Sequence, residues 1–298
     1  MKHIESTSVS TTTARIPRLV PRLVILSIAI LSMIAMQPSW AEESEAPAVV
    51  PSGDTSTNIL SHLHKVQLLG YEIAMHYHLY AAEQGDPKSA ERMAEATDEA
   101  STLVTELEDL LQTAEMADAG KTISSEWGQF YKLLKRNRAS IKSNGYAENQ
   151  LVTNMLEHLK NLENVLSTTL TTNKEQAGSQ LNARVDQVRT QSLLMQVIAT
   201  KYAERSANVW GTNPSEAEGD QTLDQLAIKF SQELTKISGQ FSSSQEASDS
   251  LKQVATRWKF IEKSLVNYTE NSIPFLVTRY SRKIVESLES VASIAENS

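Results

Sequence analysis

Cysteine is absent from all 298 residues. That excludes disulfides, thiolate metal sites, thiol nucleophiles and lipid attachment through a cysteine. Glycine (10) and proline (8) are scarce, and no long alternation of Val, Ile, Thr and Tyr occurs. A chain poor in turn formers and without period-two patterning is expected to be helical. Catalytic signatures are missing too: there is no G-x-S-x-G, no P-loop and no glycine-rich phosphate cradle. The paired carboxylates of "ELEDLL" (106–111) and "EAEGD" (216–220) read as solvated helix faces. The expectation is a non-enzyme with no catalytic residue, no cofactor and no metal site.

The N-terminus has a three-part pattern. Arg15, Arg18 and Arg22 precede the 14-residue apolar run "LVILSIAILSMIAM" (23–36), and Ser39 and Ala41 then stand just before Glu42 and Glu43. Basic, apolar, small-residue order is that of a secretory signal, and a membrane-spanning helix needs about 20 apolar residues. Residues 1–41 are expected to be a signal peptide cleaved near Ala41, with an uncleaved anchor as the other outcome. The protein would then be periplasmic or secreted. Residues 42–57, rich in Pro, Ser and acids, read as a flexible leader.

The first 41 residues hold four of the 28 basic side chains and one of the 36 acids, so the remainder carries a formal charge of −11. An acidic exported chain is not expected to bind nucleic acid or an anionic membrane. No second apolar run reaches spanning length, so action by contact with a membrane-bound receptor or envelope protein is expected.

From about Asn58 onward, apolar residues recur at three- and four-residue steps, as in Ile273, Val277, Tyr280, Ile284, Leu288, Val291 and Ile294. That spacing builds one helix face. The chain also repeats itself. "VQLLGYEIAMHYHLYAAE" (66–83) aligns with "VRTQSLLMQVIATKYAER" (188–205), matching Val66/Val188, Tyr80/Tyr202 and Ala81/Ala203. "GDPKS" and "GTNPS" place Pro87 and Pro214 at the start of second helices. Trp127 and Trp258 are read as opening third helices. "LVTNMLEHLKNLENV" (151–165) parallels "LVTRYSRKIVESLESV" (276–291) as the fourth. The expected fold is all-α, two tandem up-down four-helix bundles at 58–172 and 173–298. At 170–181 two outcomes stay open, a long helix shared by both bundles or a break near Gly178.

The segment "TQSLLMQVIATKY" (190–202) resembles a helix of the N-terminal domain of type IV pilus methyl-accepting chemotaxis transducers and nitrate/nitrite sensor kinases. That family's pattern, near G-R-Q-R-M-L-S-Q-R-[IM]-A-K-x-Y, is matched at Gln191, Leu194, Gln196, Ile198, Ala199 and Tyr202. The resemblance implies an extracytoplasmic four-helix sensing domain, often tandem, and a homodimer. The family's transducers add membrane-spanning helices and cytoplasmic signalling modules, which nothing in these residues matches. The two family arginines fall on Ser192 and Val197, which cannot fork a planar oxyanion as guanidinium does, so nitrate binding does not carry over. Arg189 lies one turn earlier.

Histidines are the tempting alternative. His62/His64 and His76/His78 are each two residues apart, about 200° around a helix, and cannot chelate one metal. His158 would have to complete a site from another helix. Tyr71, Tyr77, Tyr80, Tyr202, Trp258, Phe260 and Tyr280 fall at helical spacing and are expected in cores. Gln196, inside the apolar run 193–199, needs a partner: another helix, a symmetry mate or a ligand. Arg279, Tyr280 and Arg282 follow Pro274 and could meet a small anion or an acidic partner. Arg189, Ser192, Gln196, Tyr202, Arg279 and Tyr280 are the candidate ligand-binding residues. The expected function is an exported sensor or binding module; the alternative is an envelope scaffold without a small ligand.

Overall fold

The computed structural model describes residues 53–112, 116–178, 182–207, 221–267 and 273–297. Among them are eight helices and no strand: α1 (Gly53–Ala82), α2 (Pro87–Leu110), α3 (Ala117–Asn144), α4 (Asn149–Ala177), α5 (Ala183–Ala207), α6 (Leu223–Gln240), α7 (Gln245–Val266) and α8 (Pro274–Glu296). The chain is all-α. The expected signal (1–41) and the start at Pro214 lie outside the described residues.

The helices form two successive rings of four. In the first, α1 and α3 each pack on α2 and α4; in the second, α5 and α7 each pack on α6 and α8. Each ring encloses its own apolar core, around Tyr77 and Phe130 in one and around Phe230 and Trp258 in the other. All eight helices belong to one compact unit, residues 48–298, because α1 also packs directly on α5. The two run parallel: Arg189 meets Ser61, and Thr200 donates to the Tyr71 carbonyl at 2.8 Å. Farther along, Met75 and Leu79 close on Ala199 and Ala203, whose small side chains let the backbones approach.

Local chemistry sets the helix ends. Pro87 opens α2 behind Asp86, whose carboxylate accepts from Ser89 N–H at 2.7 Å. Thr222 and Gln225 form a capping box on α6. Gly145, at φ +80°, ends α3 in the left-handed conformation that glycine adopts without strain.

Of the two outcomes open at 170–181, the break near Gly178 is the one found: α4 stops at Ala177, Gly178 has φ +54°, and Asn182 caps a new helix by accepting from the Arg184 and Val185 N–H groups. Three details differ from expectation. α4 runs past the 172/173 boundary. α1 begins inside the supposed leader, because Ser56 and Ile59 are already buried. Finally, Trp127 and Trp258 sit in the middle of α3 and α7 rather than at their starts. Both are buried, and Trp258 Nε1 donates to Ser231 Oγ at 2.8 Å.

Candidate functional site

A cavity of about 550 Å³ opens where α1, α4, α5 and the end of α8 converge. α1 presents Ser61, His64 and Gln67 to it at three-residue spacing, a polar strip along one side of the helix. α4 supplies Lys174, α5 supplies Asp186 and Arg189, and α8 supplies Glu296. The break at Gly178 creates this space, since a continuous α4–α5 helix could not turn back to lay α5 against α1.

Opposite charges pair across the cavity wall. Lys174 binds Asp186. Arg189 Nη2 donates to Glu296 at 2.6 Å and to Ser61 Oγ at 3.2 Å, tying α5 to α8 and α1. Its Nε–H is buried without an acceptor. Gln67 is 4% exposed, and its Oε1 is likewise buried without a donor. Gln67 Nε2 reaches back 3.4 Å to Glu163 on α4. Burial pushes the Glu163 carboxyl well above its ordinary range, more than the Gln67 hydrogen bond lowers it.

The third polar group on α1, His64, bonds Glu289 on α8 at 2.9 Å. Burial raises the Glu289 carboxyl, but the hydrogen bond and charge of His64, Ser192 beside it, and Arg189 together hold it below its usual value. The other histidines are dispersed. His62 meets Glu106, His158 meets Glu126 at 2.7 Å, and His76 and His78 are buried, each pushed down to about 4 by desolvation. Among the described residues no group of three or more His, Asp or Glu is placed to hold a metal.

The six expected residues do not converge. Arg189 lines the cavity and Ser192 is fully buried next to Glu289. Gln196 faces α1 instead, its Nε2 3.9 Å from the Met75 sulfur; it belongs to the wall between the bundles. Tyr202 is core, and its hydroxyl accepts the Ile273 N–H at 2.8 Å at the start of α8. Arg279 is exposed at that same far end, and Tyr280 stacks on Phe260. Phe260 was expected in a core and is 64% exposed. Missed from the sequence were Ser61, Gln67, Lys174, Asp186 and Glu296. The polar strip 61/64/67 was the available signal.

No protein-family model, curated protein or solved structure matches this chain.

Proposed function

We propose that this chain is an exported sensor or binding module that takes a small polar ligand at the junction of its two bundles and acts by contact with an envelope partner. The supporting observation is the pair of unpartnered buried groups on the cavity wall, the Arg189 Nε–H donor and the Gln67 Oε1 acceptor. An unmet buried polar group costs about 1–3 kcal/mol; both atoms are closed to water, so a ligand recovers that cost by drawing these two side chains toward the cavity. It would also touch α1, α5 and α8 together, so its binding energy would bear on how the bundles are held. Export is supported by the basic, apolar, small-residue order of the first 41 residues. The likeness of 190–202 to a sensor-family helix points the same way.

Thermal-shift screening against amino acids, small anions and metal salts tests the reading. A ligand at 100 times its Kd adds about 2.7 kcal/mol, or several degrees in Tm. Arg189→Ala and Gln67→Leu should abolish that shift. A chain that no compound stabilises leaves only the scaffold.

A further inference from the structure

Far from the cavity, at the end where α7 finishes and α8 starts, apolar side chains stand in solvent. Phe260 is 64% exposed, Phe275 68% and Leu276 41%. Phe260 stacks on Tyr280 across the seam between the two helices, with ring centroids 5.5 Å apart. Soluble surfaces carry single exposed apolar residues routinely, whereas a contiguous group marks an interaction site. Lys259, Lys263 and Arg279 are exposed around it and pair with no acid among the described residues. Of the nearby acids, Glu262 accepts from Ser231 and Glu286 faces Arg282.

We propose that this face docks on the headgroup surface of an anionic lipid bilayer. Residues 257–286 carry six basic and three acidic side chains, a net +3, in a chain whose total is −8; the rest therefore carries −11. The total misleads, because fields are screened within about 8 Å at physiological salt. A surface approaching this face meets the local cations, and the acidic remainder biases the orientation. Phenylalanine and leucine enter the acyl boundary while lysine and arginine stems extend their charges back to the headgroups. A partner helix would lie in the groove between α7 and α8. The Phe260–Tyr280 stack bridges that seam, which favours a flat lipid surface over an acidic helix. This inference does not depend on the cavity having a ligand.

The test uses the full chain carrying Phe260→Trp, read as a difference against the unsubstituted protein, which already has four tryptophans. Vesicles of phosphatidylglycerol and phosphatidylcholine in equal parts should shift the added emission to the blue. Phosphatidylcholine alone should not, and high salt should reverse the shift. In co-sedimentation, Lys263→Glu and Arg279→Glu should each weaken the preference for anionic vesicles about five-fold or more, with helical content and Tm unchanged. The basic and apolar segment at 15–36 is common to all variants, so the differences between variants and the emission of the added tryptophan report on this face alone. No shift on anionic vesicles, an equal shift on neutral ones, or charge-reversed variants that bind as before would overturn the proposal. So would an acidic amphipathic peptide that occupies the face and displaces the vesicles.

Discussion

His64 and Glu289, 225 positions apart, meet at 2.9 Å and join the first ring of helices to the second. Glu289 is held below its ordinary pKa, so its contribution is present above about pH 4.5, the unfolded value, and is lost as pH falls through the folded one. A double-mutant cycle of His64→Ala and Glu289→Ala should give a coupling of about 1.5–3 kcal/mol near neutrality. Urea unfolding repeated below pH 4 should show that coupling shrink.

Glu163 has the opposite sign. Its carboxyl is raised in the fold, so stability is fully present below pH 4.5 and is lost as pH rises through the folded value. Glu163→Gln keeps an acceptor for Gln67 and removes the cost of burying a charge. Its Tm should equal that of the parent near pH 4 and exceed it by several degrees at pH 8, as scanning calorimetry would show.

His78 sets an acid limb. It is buried and pushed from 6.5 to about 4, so the unfolded chain binds a proton that the folded chain refuses. Stability present above pH 6.5 is lost as pH falls toward 4, by up to about 3 kcal/mol. His76 is pushed down to about 4 as well, so His78→Leu should roughly halve the fall of the urea midpoint across that window, and a profile unchanged from the parent would refute the assignment.

Gly70 is held by its neighbour. A methyl at this position would lie 3.0 Å from Glu163 Oε1 and 3.3 Å from Leu159 Cδ1. Gly70→Ala should therefore destabilise by about 1 kcal/mol or more through overpacking. In a Glu163→Ala background the 3.0 Å contact is gone and only the end of the Leu159 side chain, which can shift by a few tenths of an ångström, stays close, so helix propensity should make the same change stabilising by up to about 1 kcal/mol. Chemical denaturation of the four variants reads the reversal of sign.

Legibility differed sharply between fold and site. The step of three and four in Val277, Ile284, Leu288 and Val291 reports burial against a helix's own ring, and those four are fully buried. Val188 and Tyr202 fell where the repeat with Val66 and Tyr80 put them, in matching first helices. Gln67, Lys174 and Glu296 could not be read in the same way. Each is polar, and polar residues on a helix are solvated by default; only their neighbours on other helices make them cavity walls. Gln191 makes the same point, since it is buried to donate to the Phe230 carbonyl at 2.8 Å.

Local pattern alone determined that this chain is helical, because apolar spacing and end-capping residues act within a few residues of themselves. The tertiary structure decided that α1 and α5 lie side by side. Both are buried on more than one side by a mixture of apolar and polar residues, so neither could reveal what its second buried face would meet. That contact joins residues more than 120 positions apart. Contacts at that distance, rather than anything in either helix, place Arg189 beside Ser61 and leave the cavity between them.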